Sequence, residues 1–149
     1  MTVAYVGLGA NLGDREHAIR AAAAALPARR LSTIVETEPW GLEDQPPFLN
    51  AVAEVETELP PRSLLEWLLE IERSLGRRRD GPRWGPRMID LDLLVYGDET
   101  VDEPGLTVPH PHLDERAFVL EPLAELAPSL IVPGKGTVQA LLAELQSRT

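Results

Sequence analysis

The sequence predicts an α+β fold, a ferredoxin-like βαββαβ core with an antiparallel sheet, elaborated by a C-terminal extension. Three observations predict it. Up to Tyr96, stretches of two-residue alternation and stretches of helical apolar spacing follow in the order strand, helix, strand, strand, helix, strand. The third and fourth strands carry apolar side chains on one face and polar ones on the other, as a sheet with both helices on one side requires. A further helical stripe lies beyond Tyr96, free to cover part of the other face.

Taken in order, Thr2 to Leu8 is β-rich and opens the chain as a strand. Gly7-Leu8-Gly9-Ala10-Asn11-Leu12-Gly13 follows, with its third glycine one place late for a dinucleotide fingerprint and no Walker lysine, so it reads as a strand-to-helix turn. Asp14 is placed to cap a helix whose stripe is Ile19, Ala22, Ala23 and Leu26 and which stops at Pro27; His17 on it reads as exposed. Leu31 to Thr37 is the second strand, and a long loop from Glu38 to Pro47 contains Trp40. Phe48 to Glu58 alternates, with Leu49, Ala51, Ala53 and Val55 on one face and Asn50, Glu54 and Glu56 on the other. Pro60-Pro61 opens a helix with the stripe Leu64, Leu68, Ile71 and Leu75, ended by Gly76 in the C′ place. Glu72 in its last full turn opposes the helix dipole, and a basic partner in the adjoining loop would explain it. After the strand that ends at Tyr96, Gly97-Asp98-Glu99 turns into a short strand near Thr100-Val101. Val108 to His112 is a stiff extended loop, Arg116 to Leu120 leads into Leu123, Leu126 and a stop at Pro128, and Thr137 caps a last helix from Val138 to Leu145.

The chain of 149 residues reads as one domain, 1–149, with 44% apolar residues to build a core. No apolar run approaches the ~18 residues of a membrane span, and Met1-Thr2-Val3-Ala4-Tyr5 lacks the features of a signal peptide. With no cysteine there is no disulfide and no thiolate metal site, which fits a cytoplasmic protein. A net charge of −10 argues against broad nucleic-acid or membrane-surface binding.

Against that acidity stands one basic island. From Arg77 to Arg87 there are five arginines and one acid, Asp80, a local charge of +4 that leaves −14 for the remainder. Gly81, Pro82, Gly85 and Pro86 make it a loop, and Trp84 within it is placed to cover a flat ligand or to close the loop. The strand that follows carries Asp90 and Asp92, two residues apart and so on one face, about 6.6 Å from each other. Ile89, Leu91 and Leu93 then face a core, and Val95 continues their alternation. The carboxylates repel by about 2–3 kcal/mol at an effective dielectric near 20, which a divalent cation relieves. Alone, Asp-x-Asp is equally a solvated strand face paired with nearby arginines. The arginine loop directly upstream favours Mg²⁺ and a polyphosphate, since hard oxygen ligands suit that ion and the guanidinium fork matches phosphate. Asn50 could point from its strand into the same space or simply cap the strand end. His110 and His112 suggest a metal, but without a cysteine or a third evident ligand His110 reads rather as a phosphate donor.

Arg83-Trp84-Gly85-Pro86-Arg87 with Asp90-Leu91-Asp92 three residues on resembles the signature of the 6-hydroxymethyl-7,8-dihydropterin pyrophosphokinase family of folate biosynthesis. The likeness extends over essentially the whole chain through Leu8 to Asp14, Asp44 to Asn50, Val108-Pro109-His110 and Arg116 to Leu120. It implies transfer of pyrophosphate from ATP to the pterin hydroxymethyl group, release of AMP, two Mg²⁺ ions, and a ferredoxin-like α/β sandwich acting as a monomer on small molecules. By position it implies Asp90 and Asp92 as metal ligands, and Arg79, Arg87 and Asp92 as catalytic residues. It implies Arg77, Arg79, Arg87, Leu93, Thr107, His110 and Arg116 as ATP contacts, and Thr37, Trp40, Phe48, Asn50, Trp84 and Phe118 as the pterin pocket. Asp80, Pro111 and His112 depart from the family pattern and touch the nucleotide side rather than the chemistry; Ala10 replaces a frequent serine.

Two other classes fit parts of this pattern. A palm-like polymerase or cyclase also binds Mg-nucleotide through paired acids on this topology, but uses a nucleotide 3′-hydroxyl. A ferredoxin-like RNA-binding module needs sheet aromatics and positive charge, and this chain has few of the former and a net −10.

Overall fold

The computed structural model describes residues 1–11, 13–37, 47–76 and 89–148. The predicted loops over Glu38 to Pro46 and Arg77 to Arg87, with Trp40, Asp80 and Trp84, lie outside the described residues. Among those described, a mixed α/β arrangement has an antiparallel sheet and four helices. The main sheet runs β2 (Arg30–Leu31), β4 (Phe48–Thr57), β1 (Thr2–Ala10), β5 (Asp90–Tyr96), and β3 (Val35–Thr37) also pairs with β4. Helices α1 (Arg15–Ala25) and α2 (Pro61–Gly76) cover one face, and α3 (Ala117–Leu126) and α4 (Val138–Ser147) part of the other. Two small hairpins complete it, β6 (Val101–Glu103) with β7 (Leu106–Val108) and β8 (Ile131–Val132) with β9 (Gly136–Thr137). No helix among the described residues is long and apolar enough to cross a membrane.

Alternation along the strands produces the two cores. Ala4, Val6, Leu8, Ala51, Ala53, Val55, Leu91 and Leu93 point to one side and meet Ile19, Ala22, Leu64, Leu68 and Ile71. Tyr5, Val52, Leu94 and Val95 point to the other and meet Val119, Leu120, Leu123, Val138 and Leu141. Helices α1 and α4 start where their caps predict. Asp14 Oδ1 accepts from the His17 N–H at 3.1 Å, and Thr137 Oγ1 from the Ala140 N–H at 3.3 Å. Pro61 occupies the first position of α2, where its missing donor costs nothing.

Several elements differ from the sequence expectation. The first strand runs on through Ala10, so Gly7 and Gly9 are strand residues; the turn falls at Gly13, whose φ of +64° suits glycine. The expected strand Leu31–Thr37 is broken into β2 and β3, because Ser32 takes both backbone groups of Val52. Its N–H donates to the Val52 carbonyl at 2.9 Å and its Oγ accepts the Val52 N–H at 2.8 Å. Strict alternation in β5 ends at a bulge: Tyr5 pairs with Val95 but Val6 with Leu93. Leu94 and Val95 therefore both join the second core, and Val95 does not continue the face of Ile89, Leu91 and Leu93. Gly76 falls within the bounds of α2 rather than after them. Glu72 accepts the N–H of Leu91 at 2.7 Å, giving the outer edge of β5 a partner; the adjoining loop, where its basic partner is expected, lies outside the described residues. Pro122 is accommodated inside α3.

A buried carboxylate ties the covered end of the sheet together. Glu54 accepts from Tyr5 Oη at 2.7 Å and from Arg30 Nε and Nη2 at 3.0 and 2.7 Å, and Arg30 Nη2 also donates to the Leu126 carbonyl at the end of α3. Hydrogen bonding from Arg30 holds the Glu54 carboxyl below its ordinary 4.5. Burial and the Glu54 carboxylate push the Tyr5 phenol up to about 12. A depressed carboxyl contributes stability that is present above about pH 4.5 and lost as the pH falls through the folded value. Glu54→Gln is expected to cost about 2–3 kcal/mol at pH 7 and to flatten the acid limb of the stability curve. Urea titrations between pH 3 and 7 check this; an unchanged acid limb removes Glu54 from that role.

Candidate active site

The uncovered part of the second face forms a cavity of about 810 Å³, within the usual range for small-molecule sites. Its floor follows from strand register. Gly9 of β1 lies between Asn50 on β4 and Asp90 on β5, and Gly7 between Val52 and Asp92. The central strand thus contributes backbone without side chains, while its neighbours contribute polar groups on the same face. Asp90 and Asp92 are exposed there, with Leu91 between them buried against α2. Thr37 and Phe48 bound the cavity at the β3–β4 pair and His110 at the β5 side, and His112, Glu115, Arg116 and Phe118 complete its lining.

Local bonds fix the polar groups. Asn50 is only 8% exposed and donates through Nδ2 to Thr37 Oγ1 at 2.6 Å. His110 is anchored by its backbone N–H to the Leu94 carbonyl at 2.9 Å, beyond the cis Val108–Pro109 bond. Its Nδ1 accepts the His112 N–H at 3.1 Å, so the neutral ring carries its proton on Nε2. Burial pushes this imidazole below its ordinary 6.5; Asp92 pulls the other way, and Arg116 and His112 add to the lowering. His112 Nδ1 lies 2.6 Å from Glu115 Oε2. The Arg116 guanidinium sits over the Phe118 ring, 5.8 Å from its centroid.

Of the residues singled out in the sequence, the cavity brings together Thr37, Phe48, Asn50, Asp90, Asp92, His110, Arg116 and Phe118. Leu93 is elsewhere: its side chain is 5% exposed in the core on the opposite face. Thr107 is exposed on β7 and does not line the cavity. Arg77, Arg79, Arg87, Trp40 and Trp84 lie outside the described residues. Sequence reasoning passed over Val52, Leu94 and Glu115 as lining residues. The first two were accessible from the two-residue period running on from Asn50 and Asp92; nothing in the sequence marked Glu115.

The donor set suits a hard divalent cation. Two exposed carboxylates on one strand face open onto a cavity with room for further oxygen ligands. Among the described residues no group of three or more His, Asp or Glu side chains is placed to hold an ion alone, so beyond Asp90 and Asp92 they leave an ion's other positions to ligands from elsewhere.

A family model described as 7,8-dihydro-6-hydroxymethylpterin-pyrophosphokinase (HPPK) matches residues 5–128. The 2-amino-4-hydroxy-6-hydroxymethyldihydropteridine pyrophosphokinase of Methylorubrum extorquens is 48% identical over 151 residues, covering 97% of this chain and 94% of the relative. That of Pseudomonas aeruginosa is 48% identical over 145 residues, covering 93% and 89%. Among solved structures, Plasmodium falciparum HPPK-DHPS with SDX-DHP aligns with a TM-score of 0.73 at 16% identity, a likeness of fold. The alignment covers 99% of this chain and 44% of that one, so this chain spans less than half of the solved protein. By the extent of the family match and the identity to these relatives, the chain belongs to the 7,8-dihydro-6-hydroxymethylpterin-pyrophosphokinase family.

Proposed function

We infer that this chain transfers the pyrophosphoryl group of ATP to the hydroxymethyl group of 6-hydroxymethyl-7,8-dihydropterin, releasing AMP, in folate biosynthesis. The observation that carries the site assignment is the pair Asp90 and Asp92 on one exposed strand face, opening onto a cavity with polar groups at two ends. The fold supports the reading. With β2 and β3 taken as one interrupted strand, the order to Tyr96 is βαββαβ, a ferredoxin-like core, and the chain beyond Tyr96 is its C-terminal extension. The net charge of −10 favours small-molecule substrates over nucleic acid.

The pterin occupies the end of the cavity with Thr37, Phe48, Asn50 and Phe118, its ring against the aromatic side chains and its edge at Asn50. The triphosphate lies at the other end, where His110 offers Nε2–H and Arg116 a guanidinium. Asp90 and Asp92 would hold two Mg²⁺ ions, which would offset phosphate charge and orient the phosphates. The pterin hydroxyl oxygen forms a bond to the β-phosphorus as the bond from that phosphorus to the α–β bridging oxygen breaks. AMP departs with that oxygen. The hydroxyl proton passes to Asp92 or to solvent. Arg79 and Arg87 take up charge developing on the transferred group, with Arg77 contributing to ATP binding and Trp40 and Trp84 to the pterin end. Positioning and charge supply most of the acceleration in such a transfer.

Phosphorus NMR tests the reading. Protein, Mg-ATP and the pterin together are expected to give AMP and a pterin diphosphate, with neither product when the pterin is left out; ADP instead discards the pyrophosphokinase. Asp90→Asn and Asp92→Asn are each expected to lower kcat by about 10²- to 10³-fold or more while pterin binding is kept, and chelation of Mg²⁺ should do the same to the parent protein. Retained turnover in either variant sinks the metal assignment.

His110 gives a separate test. His110→Ala should raise the KM for ATP about tenfold, the loss of one hydrogen bond to a charged group, and His110→Gln, which keeps an N–H, should recover most of it. Because burial lowers the folded imidazole below 6.5, its stability cost is absent above that pH and grows as the pH falls towards the folded value. Thermal melts at pH 5 to 8 should show a destabilisation on acidification that His110→Gln reduces; an identical pH profile in the variant removes His110 as its source.

A further inference from the structure

Asn50 is more than nine-tenths buried yet lines the cavity, and two neighbours fix its amide. Nδ2 donates to Thr37 Oγ1 at 2.6 Å, and Thr37 is itself held beside Phe48 in the β3–β4 register. Oδ1 lies over Gly9, the residue that Asn50 opposes in the β1–β4 register. A Cβ built on Gly9 would stand 3.1 Å from that oxygen, 3.9 Å from the Leu49 carbonyl oxygen and 4.0 Å from Phe48 Cδ1. Gly7, two residues earlier on the same face, is different: a Cβ there would meet only the Leu94 side chain at 3.5–3.7 Å, an ordinary contact. Clearance above the strand is therefore specific to Gly9. With Nδ2 engaged by Thr37, the few tenths of an ångström that a methyl group at position 9 asks of the amide would strain that bond. Without the Thr37 hydroxyl the amide loses its side-chain anchor, and an amide group that then turns over exchanges an acceptor for a donor.

We propose that Gly9 and Thr37 are positioning residues that hold Asn50 Oδ1 in the cavity as an acceptor. The cavity then selects a flat heterocycle that presents an N–H donor on the edge meeting Asn50. Thr37 acts on the substrate through Asn50 rather than by stacking on the ring. This rests on the pterin lying at the Asn50 end of the cavity. An inverted or displaced amide would face the substrate N–H with its own donors and leave both unpaired, a loss that amounts to about tenfold in affinity.

The test is calorimetric titration of 6-hydroxymethyl-7,8-dihydropterin into the full chain, in Mg²⁺ and a non-hydrolysable ATP analogue. The variants are Gly9→Ala, Thr37→Val, Thr37→Ser and Asn50→Ala, with the first two repeated in the Asn50→Ala background. Gly9→Ala and Thr37→Val are each expected to weaken pterin binding about tenfold with the affinity for the ATP analogue kept within about twofold. Thr37→Ser should restore wild-type binding. Both losses should vanish in the Asn50→Ala background, since a residue acting through another has nothing to act on once that side chain is gone. Thermal melts of each variant identify any loss that comes from unfolding. Losses that persist unchanged in the Asn50→Ala background, or no loss in Thr37→Val, overturn the positioning role and leave the acceptor assignment standing. A wild-type chain that does not bind the pterin overturns both.

Discussion

The geometry of the site depends on one constraint, the pairing of a glycine-bearing central strand with two neighbours that carry polar side chains on the same face. Antiparallel pairing sets Gly9 between Asn50 and Asp90, and Gly7 between Val52 and Asp92. A slip of one residue in either ladder would send the carboxylates or the amide into the core against α1 and α2, where an unpaired charge is costly. The apolar residues Leu8, Ala51 and Leu91 on the reverse face hold the register. The same alternation that builds the core therefore determines which groups meet across the cavity, and no loop is needed to aim them.

The two ends of that face are treated differently. Towards Tyr5 it is closed by α3 and α4 and by the buried Glu54, which links β1, β2 and β4 to one another and, through Arg30, to the end of α3. Towards Asn50 and Asp90 it is left open. The bulge at Leu94 lies at the boundary. It places two consecutive apolar residues, Leu94 and Val95, under α3 and α4, while Asp92 just before them stays exposed. Bulges beside functional sites commonly re-aim side chains in this way. Here the irregularity separates a packed half of the face from the half that opens onto the cavity.

Much of this was legible in the sequence. The pairing of Asp90 with Asp92, and the polar face of Phe48 to Glu58, follow from a period of two, which holds wherever a strand runs without a bulge. The four helices begin at caps or prolines visible in the chain, apart from α3, whose Arg116 makes no side-chain capping bond. What was not legible depends on distant partners or on residues of equal hydropathy. The bulge is silent because Leu93, Leu94 and Val95 are all apolar. The break at Ser32 arises because a hydroxyl competes for the Val52 N–H across the ladder. Glu54 read as an ordinary member of a polar face, since its partners Tyr5 and Arg30 are 49 and 24 residues away. The pairing of His112 with Glu115 needed the single turn of 3₁₀ helix at Leu113–Glu115 to bring them together.

Charge explains why this arrangement needs more than its described walls. Among the described residues lining the cavity, Asp90, Asp92 and Glu115 are acidic and Arg116 is basic, while His110 is held towards its neutral form. Counted with neutral histidines, these walls carry a charge of −2, on a chain whose total is −10. Such a surface repels a free triphosphate, so an attractive field has to come from cations brought to it. The stretch from Arg77 to Arg87 carries +4 in the sequence, and under the proposed function divalent ions at the carboxylates would supply the rest. Under that function the acidic floor would be an advantage, because it would make productive binding conditional on those ions. A phosphate held by arginines alone would lack the charge offset at Asp90 and Asp92. An uncharged floor would bind polyphosphate without ions and gain ground-state affinity that does nothing to lower the barrier. Paired acids in the floor and a basic stretch next to them in the sequence are thus two parts of one electrostatic requirement.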